Sequence, residues 1–490
     1  MWEYIDENIK KFKDNFRCEA AFGWFVVIIV GLMVREDHLG VTSIIRALGL
    51  NPELYETMVH FFRATSWRLA EIKKTWIKIV YGSGLVYSVC GRPLQIGDGV
   101  KASKEGRKMP GVKKLAQESE NSGKPAYIHG HMFGGIGVLI GTPMKWFCTL
   151  LSLRLHDGNE VIGKWQGEEL AEDSHVVRMI NEACEIAGMT KPSLLALDRY
   201  YLTVPALKAL GENEEKYGAG IVSVVTKAKM NAKAYTKPEV RKGPGRPFKK
   251  GEAVKVRELF GTEVFKKAEL TIYGKKQTVE FAVVNLLWGD KLYRELRFVL
   301  VKNFNGGKDT ILVSTDLTLS PEQIIEIYAF RFKIECSFRE LKQVVSGFSY
   351  RFWSKAMPKL SRYAKNEKMS DQLNAIHDEK QKSAIINAFN AIEAFAMFSV
   401  IAFGLIQMVS LLFSNEINAS PFRWLRTNSN QISSEATTAH FLRNSFFHCL
   451  RFFPNFLLSR FISSKQSPPF SSNFDAPDSS VHISPQDSAG

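Results

Sequence analysis

Paired cysteines are missing from this sequence. Its six cysteines (Cys18, Cys90, Cys148, Cys184, Cys336 and Cys449) are scattered over 490 residues, and none forms a Cys-x2-Cys pair. That spacing argues against a zinc ribbon and a disulfide framework and fits a reducing compartment. Acidic charge is in short supply too: 50 Asp and Glu face 65 Lys and Arg, giving a net charge of +15 and a pI near 9.3. An excess of that sign favours a polyanionic partner, with nucleic acid first. Long apolar runs number only two. Ala20 to Val34 is uncharged but 15 residues long, is flanked by Asp14 and Glu19, and is followed by no small-residue cleavage site. It is therefore a poor signal peptide and a short membrane span. Phe395 to Phe413 has 19 uncharged residues, enough to span, but contains Gln407 and two serines. The expectation is a helix buried among other helices, with no membrane involved.

What remains is a globular composition, 45% hydrophobic and 23% charged, in a chain too long for one typical domain. Residues 1–88 read as helical, with an LNPE break between two helices, as either a DNA-binding helix-turn-helix or a plain helical bundle. From 89 the pattern turns to strands: LVYSVCGRPLQIGD, GHMFGGIGVLIG and KWFCTLLSLRLHDG, then a helical stretch from Glu169 to Gly188 and the short apolar strand SLLALD. Segment 89–205 is thus the first part of an α/β core. Segment 206–314 carries several runs of strand composition, from IVSVVTK to TILVSTD, and a basic loop. Segment 315–385 opens on LSPEQ, where Ser320 is an N-cap, Pro321 the first helical residue and Gln323 a capping-box partner. Segment 386–463 is apolar and helical, suited to dimerisation. Segment 464–490, rich in Ser and Pro, is expected to be disordered.

The most informative stretch is YAFRFKIECSFRELK. It sets Tyr328, Arg331, Glu335 and Lys342 at Y-x2-R-x3-E-x6-K. On one continuous helix these four fall within a stripe of about 60°. A carboxylate among cations suits a metal site acting on a phosphate backbone. This spacing resembles the Tyr-Arg-Glu-Lys signature of family-four DDE transposases of bacterial and archaeal insertion sequences. The resemblance spans roughly 85–360. It implies an RNase H-like α/β catalytic core interrupted by a β-rich insertion, with helical N- and C-terminal regions, and two aspartates upstream at strand ends.

Asp98, in QIGDGV, and Asp198, in LLALDRY, fill those places, 100 residues apart, with Glu335 a further 137 on. Taken singly, each has a plainer reading. Asp98 between two glycines suits a turn, Asp198 a helix N-cap, and Glu335 an intrahelical ion pair with Arg331 or Arg339. Together they form the catalytic and metal-holding set that the resemblance implies, with Mg2+ as the cofactor and Mn2+ as a substitute. Tyr328, Arg331 and Lys342 then hold DNA phosphates.

The stretch from Lys227 to Arg257 holds eleven Lys or Arg against two Glu, centred on RKGPGRPFKKG. Arg246, Lys249 and Lys250 are read there as DNA contacts, more to phosphate than to bases. Trp288, in VVNLLW, is read as core, which leaves a hairpin excision step open. His129 and His131 share one strand face without an evident third ligand.

The expected activity is metal-dependent cleavage and joining of transposon ends, with cut-and-paste transposition. The expected partners are double-stranded DNA, namely the terminal inverted repeats and the target, and a second copy of the chain in a synaptic homodimer. The expected place is the cytoplasm, on the nucleoid. A transposase-derived DNA-binding protein without catalysis is the alternative, against which the complete acidic set argues.

Overall fold

The structure is a computed structural model. It describes residues 1–467 apart from 38, 118–122, 124, 169–174, 240–245, 273–274, 305–306, 361–368 and 418–431. Five helices begin the chain: α1 (Trp2–Lys10), α2 (Glu19–Val34), α3 (Thr42–Leu48), α4 (Tyr55–Phe61) and α5 (Leu69–Gly82). Then come β1 (Ser88–Val89), β2 (Arg92–Ser103), β3 (Lys113–Ala116), β4 (Tyr127–Thr142) and β5 (Lys145–Leu155), followed by α6 (Glu160–Trp165) and α7 (His175–Met189). Next are β6 (Ser193–Ala196), α8 (Val204–Tyr217) and seven more strands. These are β7 (Val222–Ala228), β8 (Lys233–Tyr235), β9 (Ala253–Lys255), β10 (Lys266–Ile272), β11 (Lys275–Trp288), β12 (Arg294–Lys302) and β13 (Thr310–Ser314). Helices α9 (Pro321–Ala329), α10 (Phe332–Gln343), α11 (Met369–Asn374), α12 (Glu379–Leu412), α13 (Glu435–Phe452) and α14 (Leu457–Ser463) complete the described chain.

All thirteen strands join one mixed sheet, with helical regions at both ends of the chain. Its main path runs β3-β4-β2-β6-β7-β13-β12-β11-β8-β9; β5 adds to β4, β10 to β11 and β1 to β2. Only β2–β6 and β6–β7 pair in parallel, and α7 and α8 supply the crossovers that such pairing needs. β6 is buried at all four positions, as a central strand covered on both faces must be. The segment 206–314 contributes β7 directly beside β6 and then β13, β12 and β11, so its strands continue the sheet without a break.

Glycines decide how closely the helices approach. A Cβ at Gly97 of β2 would stand 2.8 Å from Leu197 Cδ2 and 3.0 Å from Met179 Sδ of α7. At Gly99 it would stand 2.8 Å from His175 Nε2 of α7. On the opposite face, a Cβ at Gly135 of β4 would stand 2.9 Å from the Phe338 ring of α10. Larger residues here would push both helices off the sheet.

The long apolar helix α12 meets length and composition criteria for crossing a membrane, and in this structure its apolar stretch is buried. It lies along β5, whose only strand partner among the described residues is β4. Its polar residues face that strand. Gln407 Oε1 accepts from Thr149 Oγ1 at 2.8 Å, and Glu393 Oε1 accepts from Leu155 N at 2.9 Å. A helix covering a strand edge in this way blunts it. Helix α2, apolar all round, packs on α12, with Phe25 edge-on to Phe398 at 5.3 Å. The tail expected from 464 lies outside the described residues from 468. Before that point, Gln466 Nε2 donates to Leu48 O at 2.8 Å.

Gly404 of α12 meets Trp76 of α5, whose indole N–H donates to Leu150 O at 2.9 Å. A Cβ there would stand 2.7 Å from Trp76 Cη2. Gly404→Ala is expected to destabilise the protein by about 1–3 kcal/mol despite alanine's better helix propensity, because a buried, hydrogen-bonded ring must move. Urea unfolding checks this by a lowered midpoint at unchanged slope.

Candidate active site

Asp98 is the seventh residue of β2, in mid-strand; the sequence suggested a strand end or a turn. Gly-Asp-Gly is extended here because the two glycines take the face pressed by α7 while Asp98 takes the other. On that other face stands the start of α10. β2 and β6 pair Leu94 with Leu194 and Ile96 with Ala196. Continued two residues past the end of β6, that register brings Asp198 level with Asp98. The backbone at Asp198 is held on three sides. Leu197 N donates to Val225 O at 2.9 Å, Thr226 Oγ1 to Asp198 O at 2.8 Å, and Tyr201 N to Asp198 O at 3.0 Å.

The single catalytic helix expected from 321 onward is broken. α9 ends at Ala329 and α10 begins at Phe332. Across the junction the bonds tighten to i→i+3: Arg331 N to Tyr328 O at 3.0 Å and Lys333 N to Phe330 O at 2.9 Å. No Pro or Gly causes the break. Phe330 turns instead into an aromatic contact with Tyr87 (5.4 Å) and Trp146 (6.0 Å). The capping box at the start of α9 forms as expected, with Gln323 N on Ser320 Oγ at 3.2 Å and Ser320 N on Gln323 Oε1 at 2.9 Å.

The break turns Arg331 toward the sheet. Its Nη1 lies 3.3 Å from Asp98 Oδ2 and its Nη2 pairs with Glu335. The guanidinium is 15% exposed, Asp98 23% and Glu335 55%. Burial lifts the Asp98 carboxyl to about 6, against the opposing pull of Arg331 and of the Gly99 N–H, while Glu335 and Asp198 push it further up. Burial pulls Arg331 down, but Glu335 and Asp98 more than offset it, so its pKa is raised.

The three acids therefore face one another electrostatically, with one cation already between two of them. Among the described residues, no three His, Cys, Asp or Glu side chains form a ready-made metal cluster. The donor chemistry nonetheless suits a hard divalent ion: carboxylate oxygens from neighbouring elements, with a half-buried Asp98 whose raised pKa persists beside Arg331.

Lys342, on exposed surface of α10, donates to Lys101 O at 3.0 Å and fastens the helix to β2 beyond Asp98. Tyr328 is buried, with its ring 6.2 Å from that of Phe304, three residues before Arg331. Arg246, Lys249 and Lys250 are not brought to this site. They lie in the loop between β8 and β9, six strand positions from β2, or roughly 29 Å along the sheet. Lys250 Nζ sits 4.1 Å over the Tyr235 ring, and residues 240–245 of the same loop lie outside the described residues. Trp288 packs, half-buried, against the second apolar cluster under β11 and β12.

Two residues near the acids were missed in the sequence. Lys227 of β7 has its pKa lowered by burial, opposed by the nearby Asp198. Tyr201 is buried beside both aspartates, and its hydroxyl pairs with His175 Nε2 at 2.7 Å; His175 Nδ1 in turn meets His156 Nδ1 at 2.8 Å. Only the crossover that returns α7 over β2 brings these together, and no local motif announces it.

Residues 169–354 match the family model for a transposase DDE domain. The match supports a DDE transposase; it spans Asp198 and Glu335 and begins after Asp98. No curated protein and no solved structure matches the chain.

His131 is buried, with Nδ1 2.7 Å from Tyr350 Oη and Nε2 2.8 Å from Pro110 O. Burial holds it down to about 3, and burial with the His156 charge does the same for His175. Their ordinary pKa is near 6.5, so the unfolded chain binds more protons between 6.5 and 3. The stability they contribute is present above pH 6.5 and is lost as pH falls toward 3, by up to about 1.4 kcal/mol per pH unit for each histidine. Urea unfolding at pH 7 and pH 5 is expected to show this loss, and His131→Gln to reduce it by about one histidine's share.

Proposed function

We propose that the chain is a DDE transposase that cleaves transposon ends and joins them to target DNA, with Asp98, Asp198 and Glu335 holding Mg2+. The observation that carries the reading is the convergence of Arg331 on Asp98 and Glu335, with Asp198 level with Asp98 one strand away. The family match to a transposase DDE domain supports it independently. Glu335 on α10 and Asp198 after β6 fit the places that the Tyr-Arg-Glu-Lys signature and an RNase H-like core assign to them.

Bound Mg2+ would supply Lewis-acid stabilisation of the phosphoryl oxygens and a bound water of lowered pKa. The protein's own residues do the rest. Burial of Asp98 on a central strand fixes one carboxylate where two others can reach it. Arg331, paired with Asp98 and Glu335, keeps the acids together and offers a guanidinium fork to a phosphate that displaces one of them. Lys342 presents a point charge about two turns past Glu335 on the same helix. Tyr328, being buried, acts through Arg331 more than through direct reach to DNA. Since each chain carries one acidic set, two chains would be needed to process two ends together, and cut-and-paste movement by a synaptic dimer follows. The alternative of a DNA-binding derivative without catalysis is not favoured, because every member of the acidic set is present.

Glu335→Gln and Asp98→Asn are expected to abolish Mg2+-dependent nicking of supercoiled DNA while retaining DNA binding. Mg2+ should also raise the melting temperature of the unaltered protein and not that of either variant, as linkage requires when a binding site is removed. Nicking that persists in both variants would remove the assignment.

The basic loop makes a separate contribution. Neutralising Arg246, Lys249 and Lys250 together is expected to flatten log affinity against log salt by about 0.9 for each phosphate no longer neutralised, with nicking at saturating DNA retained. A slope that does not change would return the loop to plain solvent.

A further inference from the structure

Beyond Asp98, strand β2 runs on to Ser103 and then into a second charged feature. Residues 104–108 and 349–359 together wall a cleft of about 860 Å3. The walls are tied to each other by the backbone: Ser354 N donates to Lys108 O at 3.1 Å and Leu360 N to Arg107 O at 2.8 Å. Lys108 Nζ adds a bond to Lys355 O at 2.9 Å. The groove is therefore built, and is not a chance gap between loops.

Its lining is strongly one-signed. Among the described residues, Lys104, Arg107, Lys108, Arg351 and Lys359 line it, with Glu105 the one acid. Lys104 is the innermost, held 3.6 Å over the Tyr350 ring, with Tyr350 O 3.3 Å away. Burial, and after it the neighbouring Arg351, push its pKa down to about 7. Trp353 stands in the same wall with 51% of its surface exposed, among the few large aromatics left open to solvent. It also lines the adjoining cleft, of about 840 Å3, together with Arg63 and Tyr55 of the N-terminal helical region; Tyr55 is exposed as well.

An exposed indole would ordinarily be an interaction liability, and neighbouring cations alone would suit any anion. Cations along a groove with an exposed indole in its wall suit a nucleic-acid strand whose bases are free to stack. In a duplex the base faces are already covered by their neighbours. From Asp98 to the mouth of the groove is five residues of strand, roughly 17 Å, or about five nucleotide steps at duplex spacing. Lys342, which bonds Lys101 O, lies between the two.

We propose that this groove holds an unpaired DNA strand leaving the carboxylate site, with Trp353 stacking on a base and Arg351, Arg107 and Lys359 holding its phosphates. The proposal rests on the DNA-processing function above and adds where and in what form one strand is held.

The test is equilibrium binding of the full chain, with a chelator present, to fluorescein-labelled oligo(dT) of about 15 nucleotides and to a blunt duplex of equal length. Trp353→Ala is expected to weaken oligo(dT) binding about 5- to 150-fold, with Trp353→Phe retaining most of the affinity and the duplex unaffected. Arg351→Gln and Lys359→Gln should each lower the oligo(dT) salt slope by about 0.7. Trp353 is exposed, and an unchanged melting temperature of Trp353→Ala confirms that folding is intact. Oligo(dT) binding by Trp353→Ala equal to that of the unaltered chain overturns the proposal, and so does an equal loss for duplex. Binding measured in chelator does not depend on metal held by the carboxylates. Failure here therefore leaves nicking by the unaltered chain, and its loss in Glu335→Gln, as an independent result.

Discussion

Close packing on both faces of β2 is the constraint on which the site depends. Gly97 and Gly99 let α7 lie against one face, and Gly135 of the neighbouring strand lets α10 lie against the other. Close-packed interiors transmit small changes in volume, so a methyl group at any of these positions would shift a helix that carries or supports a site residue. Asp98 lies between the two glycines of β2, and its carboxylate is presented toward α10 because the strand alternates. The same packing brings Tyr201 beside the aspartates, with its hydroxyl on His175.

Charge balance at the site follows from this geometry. Asp98 is buried enough for its carboxyl to rise to about 6, even with Arg331 beside it. One guanidinium serves two carboxylates, and a third lies one strand away. Such an arrangement is under-compensated, which is a feature of sites that bind cations and phosphates more than of structural ion pairs. The break between α9 and α10 falls at Arg331, the residue that pairs with Asp98 and Glu335, and the bonds there tighten to i→i+3.

Positive charge gathers at two places at different distances from the site. One is the loop between β8 and β9, far along the sheet. The other is the groove that β2 and the segment after α10 build together, which contains both cations and an exposed indole. They differ in the DNA they suit. Cations in a loop meet phosphates of either form, whereas an open aromatic face beside cations favours unstacked bases.

Much of this was legible in the order of residues. The capping box at Ser320, the helical character of α2 and α12, the strand runs from β2 to β13, and the spacing of Tyr328, Arg331, Glu335 and Lys342 are local patterns, each set by propensity, periodicity or capping chemistry within a few residues. The separation of 100 residues between Asp98 and Asp198 was visible too, but its meaning was not. It equals the register offset between β2 and β6, and parallel pairing across a crossover is invisible to any local window. Tertiary structure alone decided that Gly-Asp-Gly would extend through a strand, because α7 must pass over those glycines. It also decided that one periodic helix would break at Phe330, because Tyr87 and Trp146 offered that ring a better contact than the helix axis did. Local sequence sets which elements form; long-range packing sets where they bend and which side chains meet, and the acids, Arg331 and the groove at Trp353 all depend on the latter.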